Sequence, residues 1–295
     1  MIEEIFADAP ARWERVKLKY LVDFVGGGTP STGTKAYWKG DIPWVSPKDM
    51  KVHLIQETED FITEEGLEAS PCKLVDPGAL LMVYRSGILQ RALPVAINRV
   101  SVTVNQDMRA LIPDESRIDV RYLAFLVKGY ESQLLTLWSK EGTTVESLES
   151  DAVGNTKIPV PPLNQQRTIV RYLEDKTEDI DWLIEAKEDL VDTLDSKSHA
   201  VIAQAVTRGL DDGAPMRNSG HPWIGEVPAH WDEVRLRYLT SYVTSGSRGW
   251  GKYYDSNGDA LFIRIGNLRR ESIDLDLSDT EYLTLPEDVE GKRTR

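Results

Sequence analysis

From Ala79 to about Ala110 apolar and β-branched residues alternate in three short runs, ALLMVY, LPVAINRV and SVTVNQDMRALI, broken at Arg85-Ser86-Gly87. A period of two bounded by turn residues predicts short strands. Between Asp119 and Leu137 the period changes: Leu123, Leu126, Val127, Leu134 and Leu135 fall on one side of a helix. IPVPPL follows, and its prolines at 159, 161 and 162 predict an end to both helix and sheet pairing. From Asn164, an expected N-cap, one long helix runs to Arg208 and stops at Gly209. Leu173, Ile180, Leu194 and Val201 recur at multiples of seven. Leu183 and Leu190 fall between them, and Ile184 and Val191 widen the stripe. So narrow a seam predicts coiled-coil-like packing against another helix, over a span of about 60 Å at 1.5 Å per residue. Lys187 and Lys197 interrupt it, and ten acidic residues from Glu174 to Asp195 argue against contact with phosphate.

The opening of the chain recurs. PARWERVKLKYLVDFVGGG at Pro10 to Gly28 returns as PAHWDEVRLRYLTSYVTSG at Pro228 to Gly246, with Trp13 on Trp231, Leu18 on Leu236 and Leu21 on Leu239. In the same register Gly40-Asp41 falls on Gly258-Asp259 and Ile42, Trp44, Val45 on Ala260, Phe262, Ile263. EDFIT at Glu59 to Thr63 is echoed by TEYLT at Thr280 to Thr284. The first copy continues for about a hundred residues beyond this point, whereas the second reaches Arg295, so the chain is expected to end inside a domain. The organisation read from these patterns is a first α+β domain at residues 1–163 with a small twisted β-sheet, and a long coiled-coil-like helix at 164–208. A turn-rich linker at 209–227 and a partial second copy of the domain at 228–295 follow.

Composition narrows the class. In 295 residues, 41% apolar and 28% charged, there is enough apolar material for a real core. A single cysteine, Cys72, forms no internal disulfide, which favours the reducing cytoplasm. No apolar run approaches the roughly 18 residues of a membrane helix, and no membrane role is expected. The formal charge of −13 opposes a broad hold on nucleic-acid backbone. Two stretches run the other way: Arg12 to Lys51 has eight basic residues against four acidic, and Pro77 to Pro113 has four against one, Asp107.

Catalytic signatures are weak. GGGTPSTGTK at Gly26 to Lys35 is glycine-rich but lacks the Gly-Lys-Ser/Thr ending of a phosphate loop, and reads as a flexible loop or one that contacts DNA. Asp41 with Asp49-Met50-Lys51 resembles a fragment of a nuclease metal site, but three residues are easily matched by chance. The four histidines and Cys72 have no metal-ligand spacing, and no nucleophile elbow or dinucleotide fingerprint is present. Recognition chemistry remains. Arg85, Gln90, Arg91, Arg99, Asn105 and Gln106 are side-chain types that pair with base edges, and Lys35, Lys39, Lys48 and Lys51 suit phosphates. Each of them also suits a plain solvated surface.

Two segments, GGGTPSTGTKAYWKGDIPWVSPKDM at Gly26 to Met50 and IPVPPLNQQRTIVRYLEDKTEDIDWLIEA at Ile158 to Ala186, resemble the specificity subunits of type I restriction-modification systems. The resemblance implies target recognition domains, each reading half of a split site on double-stranded DNA, held apart by long helices that dock methylation subunits, with a restriction subunit as a third partner. The candidate DNA contacts are Gly27, Gly28, Thr29, Ser31, Lys35, Lys48, Lys51, Arg85, Ser86, Arg91 and Gln106. Leu173, Ile180, Leu183, Leu190, Leu194 and Val201 become the subunit interface. No catalytic residue, metal or cofactor is expected on this chain; S-adenosylmethionine, ATP and Mg would belong to partner subunits, and no N-P-P-[YF] methylase motif occurs. With one long helix and a partial second domain, two copies pairing through their helices would restore a two-fold arrangement. A stand-alone restriction endonuclease and a helix-mediated scaffold without DNA affinity are the alternative readings.

Overall fold

The alternating runs after Ala79 form the centre of a core. The computed structural model describes residues 5–140, 142, 145–241, 250–269 and 272–284, and the chain divides into two compact units, Met1–Asp195 and Ser196–Arg295, with the boundary inside one continuous helix. The first unit opens with strands β1 (Glu14–Lys17), β2 (Val22–Gly26), β3 (Trp38–Val45), β4 (Leu54–Ile55) and β5 (Asp60–Ile62), then a short helix α1 (Glu64–Glu68). Next come β6 (Leu80–Val83), β7 (Val95–Asn98), β8 (Thr103–Val104) and β9 (Met108–Pro113). Helices α2 (Val120–Gly129), α3 (Glu131–Trp138) and α4 (Ser150–Asn155), strand β10 (Lys157–Val160) and the 46-residue helix α5 (Leu163–Arg208) complete the order.

A five-stranded sheet in the order β2-β9-β6-β7-β4 carries the core, beside a three-stranded sheet β5-β3-β8 and the pair β1-β10. Every residue of β6 and β7 is buried, which is why LLMV and VAIN read as nearly continuous apolar runs. Their polar member, Asn98, is fully satisfied: its carbonyl accepts the Ala79 N–H at 2.8 Å and its amide donates to the carbonyls of Val75, Asp76 and Val100.

Four expectations change. The run SVTVNQDMRALI is two strands in different sheets, because Asn105 turns the chain by accepting the Asp107 N–H on its side chain at 3.0 Å. The helix expected over 119–137 breaks after Gly129, where Tyr130 leaves helical geometry and sets its ring against Phe6. Pro159 does pair, opposite Arg15 in β1-β10; a two-stranded ribbon tolerates its missing donor because alternate N–H groups point outward. The long helix starts at Leu163, not after an Asn164 cap: the Pro162 carbonyl takes the N–H groups of Gln165 and Gln166.

Gln166 fastens that helix to its domain. Fully buried, it accepts the Asp119 N–H at 2.8 Å and donates to the carbonyls of Arg117 at 2.9 Å and Pro161 at 2.8 Å. Leucine in its place keeps the volume but strands one buried and two part-buried backbone groups, at up to about 1–3 kcal/mol for each left without a partner. Gln166→Leu is therefore expected to lower the melting temperature of the first unit by roughly 5–10 °C, from a loss of about 3 kcal/mol. An unchanged melt would mean that water or a neighbour replaces all three bonds.

Part of the second unit repeats part of the first. β13 (Ala260–Phe262) and β14 (Glu281–Leu283) follow β11 (Met216–Asn218) and β12 (Glu226–Pro228). Ala260 pairs with Leu283 and Phe262 with Glu281, the register of Ile42 with Ile62 and Trp44 with Asp60. Val243, Gly246 and Leu285 lie outside the described residues. The segment expected to be a plain linker carries the antiparallel pair β11-β12, where Arg217 donates to the Trp231 carbonyl at 2.7 Å and to Glu233 at 2.9 Å.

Candidate nucleic-acid interface

Strand direction gathers loops at one end of the five-stranded sheet. Gly26 pairs with Arg109, Val83 with Met108 and Met82 with Val95, so β2 and β6 end where β7 and β9 begin. The parallel neighbours β3 and β8 deliver two more turns, Ser46–Asp49 and Asn105–Asp107, joined by the Asn105 N–H on the Val45 carbonyl at 2.9 Å.

Asn105–Asp107 is the hub. The Asp107 carbonyl accepts the N–H groups of Tyr84 at 2.8 Å and Arg85 at 3.0 Å. Its carboxylate lies 4.0 Å from Arg85 Nε and accepts from Gln106 Nε2 at 3.4 Å. The side-chain carbonyl of Gln106 in turn accepts the Thr29 hydroxyl. Arg85 and Gln106 are exposed. Behind them Tyr84 is buried with its hydroxyl unpartnered, and the Arg109 guanidinium sits 5.5 Å from its ring centroid. Burial raises the Tyr84 pKa well above the ordinary phenol value, the Arg109 charge offsetting only part of that, so the hydroxyl stays protonated.

Gly27 and Gly28 serve packing. A Cβ on Gly27 would fall 1.9 Å from the Asn105 carbonyl oxygen, and one on Gly28 would fall 2.8 Å from the backbone of Pro71 and Cys72. The Gly28 N–H bonds to the Val104 carbonyl and its own carbonyl takes the Trp44 indole N–H at 3.0 Å. Ser86 is also occupied: its hydroxyl caps the turn before Arg91 by accepting the Ile88 N–H, and its N–H bonds to the Glu146 carbonyl. Asn105 is buried and holds the hub turn, which removes it as a base reader. Arg91, exposed, ends the same loop that Arg85 begins.

Lys48 follows β3 at the hub end but lies 4.0 Å from Glu59 and 3.9 Å from Asp60. Ser31, Lys35 and Lys51 are not brought to the hub. Ser31 gives its carbonyl to the Trp38 indole, at the opposite end of β3 from Val45, and Lys35 opens the turn beside it. Lys51 leads towards β4, which pairs with β7 at Ile97, away from Val95. Lys35 and Lys51 are exposed, with no acidic partner within 4 Å among the described residues. Asp49, read as a possible metal ligand, instead closes the Ser46 turn: it accepts the Ser46 N–H at 2.8 Å, the Ser46 hydroxyl at 2.9 Å and the Glu59 N–H at 2.8 Å.

A family model described as the type I restriction modification DNA specificity domain matches residues 10–190. The chain belongs to that family. It is 39% identical over 170 residues to the EcoR124I/EcoR124II specificity subunit of Escherichia coli, covering 57% of this chain and 41% of that protein. It is 27% identical over 272 residues to the MjaIX specificity subunit of Methanocaldococcus jannaschii, covering 88% and 59%. The chain thus spans about two-fifths to three-fifths of these curated relatives. A chain solved in work on complex assembly and conformational transition of the type I R-M system superposes with a TM-score of 0.56 at 21% identity, over 69% of this chain and 48% of that one, which shows the shared fold.

In this specificity domain the long helix offers a second candidate surface. Val170 is buried and Leu173 half-buried against the domain, but from Glu174 to Asp195 every side chain except Ala186 is exposed. Ile180, Leu183, Leu190, Leu194 and Val201 are all exposed, as are Ile184 and Val191. Four features escaped the sequence reading. Asp107 carried a signal, as the one acid from Pro77 to Pro113. Gln166 lay inside the family motif without a periodic cue. Tyr84 looked like any strand residue, and Glu146 to Leu148, which bridge to Tyr84, Arg85 and Ser86, have no pattern at all.

Proposed function

We propose that this chain is the DNA-recognition subunit of a type I restriction-modification complex, reading double-stranded DNA with the hub loops and presenting α5 to methylation and restriction subunits. The observation that carries the reading is the meeting of Arg85, Gln106 and Thr29 on one loop cluster: Arg pairs with guanine and Gln with adenine in the major groove. The chain contributes no catalytic group; S-adenosylmethionine, ATP and Mg act on the partner subunits, in the cytoplasm. The apolar seam of α5 supports a second contact, with the same helix of another copy, which would bring two recognition units to a bipartite site. Nothing observed favours a stand-alone nuclease, since the Asp49 carboxylate is engaged in its turn, and the family match disfavours a scaffold without DNA affinity.

Mapping methylated adenines in cells with and without the gene tests this directly. One bipartite motif should lose methylation on deletion; a methylome without any such change overturns the reading. In binding assays, Lys48→Gln at the hub end of β3 should weaken all sequences alike and flatten the salt dependence by less than about one unit slope, because Glu59 and Asp60 already offset its charge. Lys35→Gln with Lys51→Gln, away from the hub loops, should change binding little. Arg85→Ala should instead relax preference at one base pair, by roughly tenfold or more. Equal loss across all sequences would assign Arg85 to the backbone.

A further inference from the structure

Asp107 is an acid where an anion would be received. It is the lone carboxylate between Pro77 and Pro113, and a charge there repels the phosphates of every DNA sequence equally. Its backbone accounts for the turn without the side chain: the N–H goes to Asn105 Oδ1 and the carbonyl takes the N–H groups of Tyr84 and Arg85. What the carboxylate itself does is face Arg85 with one oxygen, at 4.0 Å, and take the Gln106 amide on the other, at 3.4 Å. Thr29 fixes the opposite side of the same amide. The Gln106 amide is thereby oriented in the free chain, its nitrogen towards Asp107 and its oxygen towards Thr29.

We propose that Asp107 is a positioning residue for base readout, holding Arg85 and Gln106 as one pre-set pair at the cost of general affinity for DNA. The inference rests on the DNA-recognition reading above. Long flexible side chains lose rotamer freedom on binding, and a partner that restrains them beforehand removes part of that loss for the sequence they fit. The carboxylate gives nothing to sequences they do not fit and still repels their phosphates. Its expected contribution is therefore to the ratio of specific to non-specific binding, and in opposite directions for the two.

The test is selection from randomised duplexes with the full chain, followed by affinities for the enriched and a scrambled duplex. For Asp107→Asn the ratio should fall about tenfold while affinity for the scrambled duplex holds or rises. Asp107→Glu should recover part of the ratio, and the melting temperature should not move. Arg85→Ala and Gln106→Ala should relax the same base pairs as Asp107→Asn, and Asp107→Asn with Arg85→Ala should be no worse at the Arg85 base pair than Arg85→Ala alone. An unchanged ratio overturns the proposal, as does a parallel loss for both duplexes, which would make Asp107 structural. Relaxation at a base pair that neither Arg85→Ala nor Gln106→Ala affects also overturns it, because Asp107 would then read a base itself. A wild-type chain that enriches no sequence overturns the parent reading and this one with it, an outcome visible before any variant is made.

Discussion

Ile180→Asp combined with Leu190→Asp is expected to abolish assembly through α5 while leaving the recognition unit folded. The two residues are 56% and 54% exposed, so in the single chain there is little packing to lose and a charge there meets water. In a helix-to-helix interface the same positions become buried, and each buried aliphatic side chain is worth about 1.5–3 kcal/mol before the charge adds its own desolvation. Two sites then weaken association by at least a hundredfold, enough to empty a complex at micromolar concentration. Size determination of the purified chain and co-purification with methylation subunits measure the two proposed contacts separately. Val170→Asp is the contrasting variant: three turns earlier on the same helix, Val170 is 1% exposed and its replacement should unfold the domain edge. If the Ile180/Leu190 variant keeps both its partners and its size, the seam is a solvated face and assembly lies elsewhere.

The seam was legible because a heptad pattern needs no tertiary information: Leu173, Ile180, Leu194 and Val201 announce a stripe whatever surrounds them. The strands at β6, β7 and β9 were legible for the same reason, each being an apolar run longer than chance. What the pattern did not resolve was decided by single polar side chains. Asn105 bends one alternating run into two strands of different sheets, Tyr130 divides a helix whose stripe is continuous in sequence, and Gln166 fixes where α5 starts. Gln166 acts through hydrogen bonds to backbone distant in sequence, Tyr130 through a ring contact with Phe6 and Asn105 through a bond two residues along, and none of these leaves a period. The same holds for the hub. Arg85 and Gln106 were candidates by residue type, but their meeting through Asp107 depends on the antiparallel register of β6 and β9. The glycines show the converse: a loop that suggested ligand contact is glycine-rich because Asn105, Pro71 and Cys72 come too close for a side chain.

The internal repeat supplies its own control for stability. Leu18, Leu21 and Val45 in the first unit are 1%, 0% and 0% exposed, whereas their counterparts Leu236, Leu239 and Ile263 are 71%, 70% and 42% exposed. The local conformation is nonetheless the same: Lys17 and Arg235 share φ −64° with ψ 134° and 133°, and the paired strands keep their register. In the first unit Leu18 and Leu21 are fixed from outside the repeat, by the Leu18 N–H on the Thr156 carbonyl at 3.0 Å and the Leu21 carbonyl on the Asp114 N–H at 2.8 Å. With matching geometry at these positions, the difference in burial carries the hydrophobic part of the difference in stability, and three aliphatic side chains left in water forgo about 5 kcal/mol or more. Total stability of a unit this size is of the same order. Amide hydrogen exchange on this 295-residue chain should therefore find 260–269 and 281–283 exchanging within seconds, while residues 80–83 and 95–98 stay protected for hours or longer. Adding the full complement of partner subunits and repeating the measurement separates intrinsic instability from a surface awaiting cover: protection that appears only in the complex identifies Leu236, Leu239 and Ile263 as contact residues. Equal and slow exchange of both strand sets in the isolated chain would show that the exposed leucines cost far less than their area implies.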